Sequence, residues 1–340
     1  MKMSEKMSLD KIIAKINKKF GEGSICRADD FPKISRIRSG SILLDMALGG
    51  GVPVGRIGEL FGEESAGKTW TALLIAKQFT DAGIKTVFLD AEGGLDISLL
   101  NTFNIKKDMF EIVRAESGED YLEIALQLLE SSEPALIIVD SIPAIVPMYE
   151  VEEDFSKIKV SGNSGLMSKF MRLLANSLNS QSKNPAEGFV GSTIILINQL
   201  RDKIGVMYGD PYGTPGGRAV KHFSTWRASV RRSEWLHENE DKKKNRVGQR
   251  ITAKVVKNKT FPPYRDATYT IKFPPESSLV DEVDEIVVAC TSLGILEMKG
   301  SWIWYGEEKI GHGMTNSIEE IRKKPELIEE LREKVYLRIY

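Results

Sequence analysis

The segment Gly62-Glu63-Glu64-Ser65-Ala66-Gly67-Lys68-Thr69 has the residue types and spacing of a cradle for a nucleoside triphosphate. Its two glycines let the backbone turn tightly and bring N–H groups against phosphate oxygens. The ammonium of Lys68 reaches the β- and γ-phosphates, and the hydroxyl of Thr69 is a ligand for Mg2+. A glycine-rich surface turn would match the same letters. The setting favours the cradle: the apolar run Ile57–Phe61 precedes it and Trp70–Lys77 reads as a helix, so strand, loop and helix follow in the required order. The start of that helix adds a positive dipole end and unpaired N–H groups.

Two carboxylates stand where they could join this chemistry. Asp140 ends the apolar run Ala135–Val139, the setting of a Walker B carboxylate that holds a hydrated Mg2+. Glu92 lies just past another strand, in Asp90-Ala91-Glu92-Gly93-Gly94-Leu95-Asp96. Ligands of doubly wound sheets sit outside the carboxyl ends of the strands, so Lys68, Glu92 and Asp140 can share one crevice. Glu92 is then the residue to orient and deprotonate an attacking water; its plainer use would be to cap the next helix or to sit in solvent. Asn198-Gln199 follows the run Thr193–Ile197, and Gln199 could sense the γ-phosphate and pass the signal into the glycine-rich stretch beyond Leu200. A strand-terminal Gln also occurs simply as a surface residue.

The elements that must position these groups are legible as patterns. Leu9, Ile12, Ile13, Ile16 and Phe20 fall on one face of a helix over residues 8–20, stopped by Gly21 and Gly23. From about Ser39 to Phe273 strand and helix alternate: Lys85–Asp90, Ala135–Asp140 and Ser192–Gln199 read as buried strands, with a helix near Tyr121–Leu129. This predicts an α/β fold with a mostly parallel twisted sheet. Strands near Ser224–Arg232, Arg250–Asn258 and Ala267–Phe273 have the short connections of an antiparallel extension. Pro274–Ser278 reads as a boundary, with helix-rich sequence to Tyr340. Two polar stretches, Tyr149–Gly165 and Arg201–Gly217, are longer than the roughly 12 to 15 residues of an ordinary loop, which points to binding loops.

Composition sets the limits. The 340 residues are 41% hydrophobic and 28% charged, enough for a sizeable core and more than one domain. No run approaches the roughly 20 apolar residues of a membrane span, and no signal-peptide core is seen. Cys26 and Cys290 lack metal-ligand spacing and do not read as a disulfide framework, so a cytoplasmic protein is expected. With a net charge of −1, nucleic-acid binding must come from local clusters. Arg227/Arg231/Arg232 and Lys242-Lys243-Lys244-Asn245-Arg246 qualify, although charge runs are more often solvated turns.

In order along the chain, Lys18-Lys19-Phe20-Gly21-Glu22-Gly23-Ser24-Ile25, Gly40–Asp45, the cradle, Asp90-Ala91-Glu92, Asn198-Gln199-Leu200-Arg201, Lys203-Ile204-Gly205-Val206-Met207 and Val255-Val256-Lys257-Asn258-Lys259 resemble the RecA recombinases. The likeness runs from about residue 11 to 335. It implies a RecA-type P-loop ATPase core over 39–273, an N-terminal polymerisation helix and linker over 1–38, and a small α+β C-terminal domain over 274–340. It further implies an ATP- and Mg2+-dependent homo-oligomer, a helical filament on single-stranded DNA that pairs it with homologous duplex and exchanges strands. Gly62 to Thr69, with Asp96 and Asp140, would hold the nucleotide, and Thr69 and Asp140 the metal. Glu92 would activate water and Gln199 couple γ-phosphate to DNA. Lys257 and Lys259 would reach the neighbouring subunit's ATP, as an arginine finger does elsewhere; without the resemblance they read as exposed strand lysines.

The two polar stretches match the family's DNA-binding loops, roughly Glu153–Val160 and Leu200–Thr214. Lys157, Lys159, Arg172, Lys203, Arg218, Lys221 and Arg227 are the implied phosphate partners, Gly205, Gly216 and Gly217 offer backbone contacts, and Met207 and Tyr208 wedge or stack between bases. The chain departs from the family at several places. The first loop shares little with it, Leu99 stands where a tyrosine usually meets adenine, His222 replaces an interface phenylalanine, and extra residues appear near Asn184–Gly191. The sequence given ends at Tyr340 without the acidic tail, which would ease loading on duplex DNA. These departures suit a divergent member, of the kind a phage would encode. A RecA-fold helicase or other DNA motor would share the nucleotide site but should carry an arginine finger and a ring-forming linker. A regulatory protein that binds nucleotide without hydrolysing it is disfavoured by intact Lys68, Glu92 and Asp140.

Overall fold

Eight strands make the main sheet: β1 (Ile57–Gly62), β2 (Lys85–Asp90), β3 (Phe110–Val113), β4 (Ala135–Asp140), β5 (Thr193–Gln199), β6 (Trp226–His237), β7 (Arg246–Asn258) and β8 (Arg265–Lys272). The computed structural model describes residues 7–21, 23–30, 33–152, 162–181, 191–202, 212–238, 245–273 and 280–339. Across the sheet the order is β8-β7-β6-β1-β5-β4-β2-β3. Strands β6 through β3 run parallel to their neighbours, whereas β7 and β8 are added antiparallel, as their short connections predict.

Alternate side chains of the central strands enter two separate cores, the period of two expected of a sheet covered on both faces. Leu60, Leu136, Ile138, Ile195 and Ile197 face one core together with Leu73 and Phe79 of helix α3. Ile57, Ile137, Val139, Ile194 and Leu196 face the other, with Tyr121, Leu122, Met171 and Leu174. Helices α1 (Leu9–Phe20), α2 (Ile42–Leu48), α3 (Lys68–Asp81), α4 (Ile97–Thr102), α5 (Gly118–Leu128), α6 (Met148–Glu152), α7 (Gly162–Gln181) and α8 (Gly217–Phe223) connect the strands. Ser41, Asp96 and Ser117 start α2, α4 and α5 by accepting N–H bonds, and Gly49 ends α2 in the left-handed region.

Helix α1 forms where the periodicity predicts it, yet none of its residues is buried. Leu9, Ile12 and Phe20 are exposed. The polar stretch Tyr149–Gly165 is helical at both ends, in α6 and α7, and residues 153–161 lie outside the described part. In the second stretch Arg201–Asp202 pairs with Tyr212–Gly213, and 203–211 are outside it.

Beyond residue 279 the chain is less purely helical than its sequence suggests. Helix α9 (Glu282–Ser292) is followed by an antiparallel sheet of β9 (Glu297–Lys299), β10 (Trp302–Tyr305) and β11 (Glu308–His312), then α10 (Gly313–Arg322) and α11 (Pro325–Ile339). The strands are too short to leave a periodic signature; Ile303 and Ile310 are buried in the third core and Tyr305 packs against it. Ile42 of α2 joins that core, and the Ser41 hydroxyl donates to Glu285 Oε2 at 2.8 Å, fastening this unit to the main sheet.

Candidate active site

The carboxyl ends of β1, β2, β4 and β5 meet around a cavity of about 400 Å3 lined by Lys68, Thr69, Glu92, Asp140 and Gln199 among others. Sterics dictate the glycines of the cradle. A Cβ on Gly62 would lie 2.0 Å from the Val230 carbonyl oxygen, and Gly67 adopts φ +94° with Ile251 Cδ1 at 2.4 Å from any Cβ. At Gly62 a side chain would run into rigid backbone, and at Gly67 the positive φ strains any residue but glycine. Lys68 Nζ donates to the carbonyls of Gly62 at 3.2 Å and Glu63 at 2.6 Å. Burial pushes its pKa down, while Asp140, Glu92 and Glu64 pull it back up.

Strands β2 and β4 lie side by side with Asp90 opposite Asp140, which sets the two carboxylates. The N–H groups of Ala91 and Glu92 both donate to the Asp140 carbonyl, at 2.8 and 3.1 Å. Buried Asp90 accepts from Gly94 N at 3.1 Å and pairs with Arg114 at 3.3 Å, so the turn that carries Glu92 is held at both ends. Thr69 Oγ1 donates to Asp140 Oδ2 at 2.7 Å. Burial raises the Asp140 pKa to about 6; the charges of Glu92 and Asp90 add to the rise, and Thr69 and Lys68 oppose it. One hydroxyl beside one carboxylate is an oxygen donor set suited to Mg2+, which keeps waters and substrate phosphates among its ligands.

Glu92 Oε1 accepts from the Ser141 hydroxyl and, at 2.9 Å, from Gln199 Nε2. Gln199 ends β5 opposite Gly62, and Leu200 N donates to the Gly62 carbonyl at 3.0 Å. Its neighbour Asn198 is buried and donates to Glu59 Oε1 at 2.9 Å and to the Pro215 carbonyl at 3.0 Å. Both ends of segment 200–215 are therefore tied to the strands that carry the cradle.

Some expected contacts fall elsewhere. Arg227 is not free for phosphate: its guanidinium pairs with fully buried Glu59, is itself only 11% exposed, and lies over the Phe61 ring. Charged type alone could not separate this buried pair from a surface cation. Asp96 does not line the cavity; its carboxylate accepts from Ser98 N at 2.9 Å at the start of α4. Arg172, Gly217 and Arg218 are exposed, on α7 and α8. Gly216 precedes α8 in the left-handed region. Lys157, Lys159, Lys203, Gly205, Met207 and Tyr208 lie outside the described residues.

Lys257 and Lys259 do not line this chain's own cavity. Lys257 Nζ donates to the Lys221 and His222 carbonyls at 2.5 and 2.9 Å, and Lys259 Nζ to that of His222 at 3.3 Å. Burial pushes the Lys257 ammonium down to about 8, helped by Lys259 and Arg227 and opposed by Glu59. Away from the phosphate cradle the cavity is aromatic. Trp70 lies 5.1 Å from Phe273 and 5.3 Å from Phe103, and Phe273 is 6.2 Å from Trp235. Trp235, Gln249 and Phe273, which line it with Leu99, were not picked out by sequence reasoning. They come from distant segments with no motif between them.

A P-loop after the first strand of a mostly parallel sheet, a strand-end Asp bonded to its Thr, and a second strand-end carboxylate define a nucleoside-triphosphate hydrolase of the RecA-like architecture. The family model of the RecA N-terminal domain matches residues 7–276, and that of the RecA C-terminal domain residues 284–339. Proteins named RecA are similar along nearly the whole chain. That of Rubrobacter xylanophilus is 37% identical over 100% of this chain and 95% of its own. That of Thermus aquaticus is 38% identical over 98% and 95%, and that of Aquifex pyrophilus 36% over 98% and 92%. The chain belongs to the RecA family. It is a homologous recombinase with DNA-dependent ATPase activity, and the helicase alternative is not favoured. No helix among the described residues is long and apolar enough to cross a membrane.

Proposed function

We propose that the recombinase works through one ATP site, assembled between subunits of a filament on single-stranded DNA and read out through Gln199. The observation that carries this is the hydrogen bond from Gln199 Nε2 to Glu92 Oε1 at the mouth of the cavity that holds Lys68, Thr69 and Asp140. It joins the hydrolytic carboxylate to the residue that immediately precedes the segment running into the DNA loop.

In this reading the cradle N–H groups and Lys68 hold the phosphates, and the Phe273–Leu99 end takes the base. Thr69 and Asp140 hold Mg2+, which when bound supplies charge neutralisation at the phosphates. Glu92 accepts a proton from the attacking water and is held for it by Ser141 and Gln199. The carboxylate Asp140 keeps its charge beside Lys68, although burial alone favours its neutral form. Lys257, near the far end of β7, and Lys259, just past it, would exchange the Lys221 and His222 carbonyls for the neighbouring subunit's triphosphate, where they stabilise charge in the transition state. Hydrolysis then depends on assembly. The exposed apolar face of α1 docks on the next subunit, a head-to-tail contact that propagates as an open helix. Arg172, Arg218 and the backbone of Gly216 and Gly217 take DNA phosphates, with residues of the segments 153–161 and 203–211.

ATPase assays with and without single-stranded DNA test this. Lys68→Ala should abolish turnover. Glu92→Gln should bind ATP but hydrolyse it about 10²- to 10⁴-fold more slowly, the usual contribution of a general base. Full turnover by Glu92→Gln would remove its assignment.

A further inference from the structure

Ser65 is the one residue of the cradle other than glycine with a positive φ, +56°. Left-handed backbone is uncommon for a residue with a side chain and persists where neighbours hold it. Here the neighbour is Arg232, whose Nη1 donates to the Ser65 carbonyl at 2.7 Å.

Arg232 is itself placed by the geometry of β6. The register with β7 slips between Arg232 and Glu234, leaving Ser233 as the extra residue of a bulge. A bulge re-aims the side chains that follow it. It brings Arg232 and Trp235 to one side of the strand, where the guanidinium lies 4.1 Å from the Trp235 ring. Arg246 of β7 lies over the same ring at 4.4 Å. The Ser233 hydroxyl is bonded to Thr252 Oγ1 at 2.5 Å, which fixes the bulge against β7.

We propose that Arg232 is a positioning residue for the nucleotide cradle: braced on Trp235, it pins the outward Ser65 carbonyl and so presets the loop with its N–H groups turned inward toward a triphosphate. The inference rests on the reading of Gly62–Thr69 as the ATP site. A charge-assisted bond to a carbonyl is stronger than a neutral one and holds its geometry better. Its loss lets the loop relax before binding, so both nucleotides that use the loop lose affinity alike, while the groups that act at the reacting phosphate are untouched. Such an interaction is uniform between ground and transition states, and its removal appears in KM rather than kcat.

The experiment measures steady-state ATP hydrolysis on saturating single-stranded DNA, together with ADP and ATP binding, for the full chain and for Arg232→Ala, Arg232→Lys and Trp235→Leu. Arg232→Ala should raise KM about tenfold with kcat within about twofold of the parent, and weaken ADP and ATP binding equally. Arg232→Lys, which keeps a charged donor, should recover most of the loss, and Trp235→Leu should fall between. An unchanged KM in Arg232→Ala overturns the inference, as does a fall in kcat with KM unmoved. A loss confined to ATP would show instead that Arg232 meets the γ-phosphate. If the parent chain hydrolysed no ATP, the reading of the cradle would fall with it.

Discussion

Glu92 is held by its own N–H on the Asp140 carbonyl, by the Ser141 hydroxyl and by Gln199. Of these only Gln199 leads out of the site, since the next residue enters the segment that the fold ties back at Pro215. Gln199→Ala should therefore leave DNA-independent hydrolysis within a fewfold of the parent and lose its stimulation by single-stranded DNA, as phosphate-release assays would show. Equal stimulation in the two proteins would mean that the signal runs elsewhere. Arg227 gives a second contrast. As half of a buried pair with Glu59, its truncation to Ala should lower stability by about 3–5 kcal/mol, measured by urea unfolding, rather than merely weaken DNA binding in a folded protein. The difference between these residues explains what the sequence discloses. Lys68, Thr69, Glu92, Asp140 and Gln199 are legible because each sits at a strand end or in a contiguous motif. The burial of Arg227 and the aromatic wall of Trp70, Trp235 and Phe273 arise only when distant segments meet, whereas the capping by Asp96 is a local contact with Ser98.

Among elements, the strands of the core were legible because buried parallel strands are continuous apolar runs, whereas the short strands β9 to β11 carry too few residues for a pattern. The joint between α2 and α9 was not visible at all. There Asp45 and Glu285 are both buried, and among the described residues Asp45 Oδ2 and Glu285 Oε1 have no hydrogen-bond partner. Burial raises the Glu285 pKa to about 8, opposed by hydrogen bonds from Ser41 and Leu43 and reinforced by Asp45. Burial likewise raises Asp45 to about 7, against its bonds with Ser39 and the charge of Arg38. A carboxyl that binds its proton more tightly when folded stabilises the fold at low pH, and that stability is lost as pH rises through the folded value. The melting temperature should thus fall between about pH 4.5 and 8. Glu285→Gln should flatten much of that slope. An unaltered slope in the variant would place the titration at other groups.

Over the whole molecule, two features fit the filament proposed above: an amphipathic α1 with no residue buried, and a lysine pair that does not line its own subunit's cavity. In the proposed open filament, α1 would be the contact to the next subunit and Lys257 with Lys259 the completion of its ATP site. Replacing Leu9 and Ile12 with Asp should abolish filaments in electron micrographs and DNA-stimulated hydrolysis together, while the monomer stays folded. Persistence of stimulated hydrolysis without filaments would separate the site from assembly. Strand exchange is the activity that most directly tests the recombinase. Circular single-stranded DNA and homologous linear duplex, incubated with the protein and followed on agarose gels, should give joint molecules with ATP and none without it. Filaments on the single strand with no joint molecules in ATP would contradict the account.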